Sequence, residues 1–177
     1  MPTTEAIDAQ LLDLGLLVIR LVFGLTFAAH GAQKLFGWFG GYGIAGTGGF
    51  LETLGFRPGK IFATAAGLGE FLGGLLLALG FLGPVGPALM IAGMLVAMIT
   101  VHRKNKFFVA TNGIEHPLLF MTAAIGLALT GPGRYSLDAV LGKTRLETPA
   151  ITWIILVVGL VGGLLNLALR RAPPARV

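Results

Sequence analysis

Cysteine is absent from this 177-residue chain. That excludes disulfides, thiolate metal sites, cysteine-held iron–sulfur clusters and any dithiol relay built by the chain alone. Charge is scarce too: Asp, Glu, Lys and Arg make up 12% of the residues, against about 25% in an ordinary soluble domain. So few charges cannot cover a globule with a wettable surface, and water is not the main solvent. What is plentiful is apolar: 55% of the residues are hydrophobic and the mean hydropathy is +0.84. The length is about one domain's worth. The formal charge of +5 and a pI near 10.1 would suit nucleic acid if the basic residues formed one patch. They stand instead in short stretches between apolar runs, which membrane topology explains and nucleic-acid binding does not. The first ten residues carry Glu5 and Asp8 but no Lys or Arg. That is the wrong charge for a cleaved signal peptide, so the first apolar run is expected to persist.

A helix needs about 20 residues to cross the hydrocarbon layer. Runs at 11–29, 61–82, 84–101 and 151–169 approach or meet that length, and 117–130 is a shorter fifth, fourth in chain order. The expected fold is an all-α polytopic transmembrane helical bundle. Gly83 and Pro84 demand a tight hairpin between the second and third spans. Pro117 suits the first turn of a helix, where its missing N–H costs nothing. The 31–60 connection holds ten glycines with Phe36, Trp38, Phe39 and Tyr42, a composition suited to aromatic anchors at headgroup level. Within it Phe50, Leu51 and Leu54 share one side of a helical projection, so a short interfacial helix and an irregular loop are both open. The segment 172–177 reads as a basic tail. With five spans, one face owns Lys34, Arg57, Lys60, Arg103, Lys104, Lys106, Arg170, Arg171 and Arg176, and the other only Arg134, Lys143 and Arg145. The excess places the first face in the cytoplasm and the N-terminus outside.

Some residues do not belong in oil. Arg20 falls mid-run, where a charge costs at least about 2.5–3.5 kcal/mol, so it needs a partner. Counted from the ends of their runs, Arg20 and Glu70 lie at matching depth, which predicts that they pair. Ala63, Ala66, Gly67, Gly73 and Gly74 share the glutamate's side and allow close helix approach. On the first helix Arg20, Gly24, Phe27, Gly31 and Lys34 form one stripe. The pair either locks two helices together or borders a polar cavity. His30, His102 and His116 collect at the same face, with Glu115 beside the last. They read as interfacial side chains, or as groups that handle protons, haem or a metal; the spacing carries little metal signal, and none is assigned. Arg134 and Asp138, four residues apart, read as a surface pair. Gly159 and Gly163, with Asn166 following, read first as intramolecular packing.

Taken in order, these residues resemble the DoxX family of small multi-pass membrane proteins over 16–142. The carriers are the Arg20 to His30 helix followed by Gly31-Ala32-Gln33-Lys34-Leu35-Phe36-Gly37, then Phe50, Leu54 and Gly55, and Gly67-Leu68-Gly69-Glu70-Phe71-Leu72-Gly73-Gly74. After them come Val101-His102 with Asn105-Lys106-Phe107-Phe108, Glu115 ahead of Pro117, and Gly131-Pro132-Gly133-Arg134-Tyr135-Ser136-Leu137-Asp138. The resemblance implies a four-helix membrane domain over 1–150, to which 151–177 adds a fifth helix and tail. It also implies kinship with a thiosulfate:quinone oxidoreductase membrane subunit. The expectation is a component of a quinone-linked oxidoreductase system, embedded in lipid, with a membrane or peripheral oxidoreductase partner; a non-catalytic scaffold is the alternative. Arg20 and Glu70 are the candidate reacting pair, His30, His102 and Glu115 the candidate proton-handling rim, and Lys34 and His116 candidate contacts to a cofactor such as a quinone.

Overall fold

The computed structural model describes residues 3–142, 146 and 148–171. Lys143, Arg145, Arg176 and the tail expected at 172–177 lie outside the described residues. The elements are α1 (Thr4–Phe36), α2 (Gly43–Thr53), α3 (Gly59–Leu79), α4 (Val85–Ala97), α5 (Glu115–Thr130), α6 (Leu137–Val140) and α7 (Pro149–Ala168). A π-helical turn (Met98–His102) and a 3-10 turn (Arg103–Asn105) extend α4, so that the third span reads Val85–Asn105. Among the described residues four helices are long and apolar enough to cross a membrane: α1, α3, the extended α4 and α7. The apolar α5 has 16 residues, about 24 Å of helix. The chain is thus an all-α multi-pass membrane bundle, with no strand among the described residues.

Glycine sets how closely the first two long helices approach. They run antiparallel, with Gly24 against Gly74 and Ala78, and Gly31 against Gly67 and Phe71. A Cβ at Gly31 would fall 2.3 Å from the Phe71 backbone nitrogen, so only glycine permits this contact. The α1–α3 interface is the most extensive in the molecule. The helix α4 packs on α3, α5 packs on α4, and a lighter α1–α5 contact closes the ring. Phe27, Met90, Met94, Phe120 and Ala124 fill its centre, with Phe23 and Phe120 edge to face at 5.2 Å. The helix α7 lies outside this ring along α4, where Gly159 meets Ala88 and Gly163 meets Ala92. The glycine pair is intramolecular packing, as expected.

The hairpin between α3 and α4 is as tight as Gly83 and Pro84 require. Gly80 ends α3 in the left-handed conformation (φ 62°), and Leu82 and Gly83 follow at φ 60° and 52°. Its free N–H groups are satisfied by Asp138, whose carboxylate accepts from Leu82 N at 3.1 Å and Gly83 N at 2.7 Å. Asp138 is fully buried, so it does not form the surface pair expected with Arg134. That residue's backbone N–H instead donates to Asp13 Oδ1 at 3.0 Å. A buried turn needs an acceptor more than a surface cation needs a partner.

At the opposite, basic end the 31–60 stretch is more helical than a loop. The first helix continues to Phe36, and the stretch around Phe50 and Leu51 is a short helix, α2, rather than an irregular loop. Glu52 Oε1 accepts the Gly59 N–H at 2.9 Å at the start of α3, a favourable place for a negative charge. The far end of α7 is tied to the same stretch: Arg171 N–H donates to Gly55 O at 2.9 Å, and Arg170 Nε donates to Leu54 O.

Candidate functional site

Both ions flagged in the sequence are buried, Arg20 at 1% exposure and Glu70 at 5%. They do not neutralise each other. Glu70 Oε2 is ion-paired with Lys34 Nζ, and Arg20 donates through Nη1 to Pro132 O and through Nη2 to Tyr135 O at 2.8 Å. The reason is register. Helix α1 runs on past Ala29, and Arg20 comes level with Gly80, where a Cβ would lie 2.7 Å from Nη1. Gly80 and Glu70 are ten residues apart on α3, about 15 Å of helix. Lys34, four positions further along the same stripe of α1, is the cation that reaches the carboxylate. Arg20 therefore stands among the hairpin-end turns, away from the histidines. Its Nε has no hydrogen-bond partner among the described residues.

The Lys34–Glu70 pair borders a cavity of about 550 Å³. Its long walls are small and apolar: Ala65, Ala66 and Gly69 from α3, Ala92 and Gly93 from α4, and Gly162 and Gly163 from α7. Phe50, Leu51 and Phe56, from α2 and the stretch before α3, also line it. Its polar lining includes His30, Lys34, His102 and His116. The π-helical turn supplies Thr100, Val101 and His102 to this wall. Such turns insert one extra residue per turn and recur where a helix must re-aim a side chain at a site.

The three imidazoles form a row. Ring centroids are 5.4 Å apart for His30 and His116, and 6.5 Å for His116 and His102; Phe120 lies under the middle ring at 4.7 Å. Hydrogen bonds set two of the tautomers. Gln33 donates its amide nitrogen to Phe39 O at 3.1 Å, which leaves Oε1 to accept from His30 Nδ1 at 3.2 Å. Asn112 O accepts from His102 Nδ1 at 2.9 Å. In the neutral rings of both residues, Nε2 is therefore the free base. Among the described residues no group of three or more His, Asp or Glu converges as a metal site.

The structure thus brings Lys34, Glu70, His30, His102 and His116 around one void, and leaves Arg20 and Glu115 out of its lining. Glu115 acts locally, where its Oε2 accepts the Val109 N–H at 2.7 Å and shapes the 106–115 turn. Sequence reasoning missed Asp138 as a buried cap, Lys34 as the ion-pair partner and Thr100 as a lining residue. The hairpin's need for an acceptor was a visible signal, but nothing in the spacing named Asp138.

Fold and site together define a polytopic helical membrane protein with a charged, small-residue-walled cavity at its basic end. The DoxX family profile matches residues 15–103, and the chain belongs to that family. It is 35% identical over 139 residues to "Inner membrane protein YqjF" of Escherichia coli, covering 76% of this chain and 97% of that one. It is 29% identical over 133 residues to "Putative oxidoreductase CatD" of Bacillus subtilis, covering 75% and 91%. No solved structure matches.

Proposed function

We propose that this protein is a component of a quinone-linked membrane oxidoreductase system, and that its cavity takes the head of a lipophilic quinone. The observation that carries this reading is one void of about 550 Å³ with apolar walls, an ion pair and three imidazoles, a size and lining typical of small-molecule sites. The polar lining fits an oxygenated ring: an ammonium to donate and imidazole nitrogens to accept protons, with hydrocarbon elsewhere. A bound quinone supplies a two-electron, two-proton acceptor. Lys34 offers N–H donors to an oxygen there, and Glu70 holds that ammonium in place. His30 and His102 keep Nε2 as a base, and His116 stands between them as the middle of a proton row toward the rim. The electrons are assigned to a reduced partner protein, because a chain without cysteine builds neither a dithiol nor a cysteine-held cluster. The name of the Bacillus relative, an oxidoreductase, points the same way. The excess of Lys and Arg at the cavity's end supports a cytoplasmic placement of that end, with the N-terminus outside.

Purification in native lipid followed by solvent extraction and mass spectrometry tests the reading. Co-purifying quinone is expected, depleted by Lys34→Met and Glu70→Gln in protein that remains folded. Absence of quinone from the unsubstituted protein, together with unchanged quinone reduction in Glu70→Gln membranes, would end it.

One observation favours a second reading, a non-catalytic scaffold for other membrane proteins: Lys34 and Glu70 already neutralise each other, as a purely architectural pair would. The volume-matched double substitution Lys34→Met with Glu70→Leu separates the two. Retained function supports the scaffold, whereas a folded but inactive protein supports the quinone site.

A further inference from the structure

We infer that the cavity loads sideways from the bilayer through a slot between α3 and α7, and that the ligand's hydrocarbon tail stays in this slot while its head lies at Lys34 and Glu70. The inference rests on the quinone reading above.

Both α3 and α7 pack on α4, yet they form no substantial interface with each other. The gap between them is part of the cavity, floored by Ala92 and Val96 and flanked by Ala66, Gly69, Gly162 and Asn166. Ala65 and Gly162 line the cavity and are also exposed on the molecule's flank, so the void opens there. The glycines distinguish packing from opening. A Cβ at Gly159 would lie 2.6 Å from Ala88 O, and one at Gly163 3.1 Å from Ala92 O; at Gly69 and Gly162 nothing lies within 4 Å. A helix-interior glycine costs about 1 kcal/mol relative to alanine. Packing accounts for that cost at Gly159 and does not at Gly69 or Gly162, where the missing side chain keeps the slot wide.

Depth decides what can use it. Gly69 is ten residues from each end of α3 (Gly59–Leu79) and Gly162 six from the end of α7 (Pro149–Ala168), so the slot runs from mid-helix toward the basic end within the length of both apolar spans. Leu68, Leu72, Val158 and Leu165 are exposed around it. Only a lipid-dissolved molecule arrives there, and an alkyl or polyprenyl chain matches the surface. A second mouth exists at the basic rim, where exposed Val109 and Asn112 also line the cavity. A tail-free quinone dissolved in water has that route; a tailed one in the bilayer has the slot.

The test uses the full chain in phosphatidylcholine vesicles. In a Trp38→Phe, Trp153→Phe background, Gly69→Trp and Gly162→Trp each place an indole in the slot, and Gly126→Trp places one on the outer face of α5, where a Cβ also meets nothing within 4 Å. With brominated acyl chains, the slot indoles are expected to lose fluorescence as the Gly126→Trp indole does. Unquenched slot indoles overturn the inference whatever the ligand is. In the second arm a decyl benzoquinone and its tail-free parent are loaded, read by extraction after rapid gel filtration. Gly69→Trp and Gly162→Trp are expected to slow loading of the decyl probe by about tenfold while leaving the tail-free probe and the Gly126→Trp control unchanged. Equal slowing of both probes, or of neither, overturns the tail assignment. Binding of neither probe to the unsubstituted protein removes the quinone reading and the tail assignment with it, and the quenching arm alone then decides whether the slot admits lipid.

Discussion

Arg20 is held inside the bundle by carbonyl dipoles, with no carboxylate within ion-pair distance among the described residues. Its planar fork offers Nη1 to Pro132 O and Nη2 to Tyr135 O, a fixed geometry and reach that a compact ammonium does not reproduce. Arg20→Lys is expected to lower stability by about 1–2 kcal/mol, and Arg20→Met by more, because both carbonyls then lack a donor. Denaturant titration in mixed micelles measures both. Asp138 serves the neighbouring turn: Asp138→Ala leaves the Leu82 and Gly83 N–H groups without acceptors and should cost about 2–4 kcal/mol, with Asp138→Asn recovering part. Thermal unfolding followed by circular dichroism checks the order. That Arg20 and Glu70 are buried was legible in the sequence, because charges inside apolar runs have nowhere else to go. Their partners were not. Depth counted from the end of the apolar run stops at Ala29, whereas His30, Gln33 and Lys34 are carried by the same helix to Phe36. The shifted register leaves Lys34, rather than Arg20, opposite the carboxylate.

At the scale of elements, the contact between α1 and α3 depends on glycines whose hydrogen atoms touch the opposing backbone. Gly31→Ala or Gly24→Ala must push the helices apart and is expected to destabilise by about 1–3 kcal/mol. Gly126→Ala, into open space on α5, should stabilise by a few tenths to about 1 kcal/mol. Melting curves of the three variants in one detergent test this contrast. The stripe of small residues around Glu70 was readable because α3 shows it at helical spacing, and Ala63, Gly67, Gly73 and Gly74 are all buried. The hairpin was readable from Gly83 and Pro84. The π-helical turn was not, since no residue type marks one; it follows from how α4 must bend its last turn to bring Thr100 and His102 to the cavity.

For the whole molecule, a reporter that fluoresces only in the cytoplasm, fused after Val177, should be bright, and the same reporter ahead of Met1 should be dark. The reverse pattern would invert the proposed orientation. That three histidines and Lys34 collect at one end could be read from alternating helix directions. The void they surround could not, because it arises where α3 and α7 both rest on α4 without meeting, a property of no single segment. The longest rod has a consequence of its own. With 33 residues, α1 measures about 50 Å, well beyond the roughly 30 Å of a bilayer's oily interior. It must lean or project beyond the bilayer, and where it leans its glycine seam obliges α3 to share that tilt. Thickening or thinning the surrounding lipid therefore alters the inclination of the wall that carries Glu70, which couples the geometry of the polar chamber to membrane thickness.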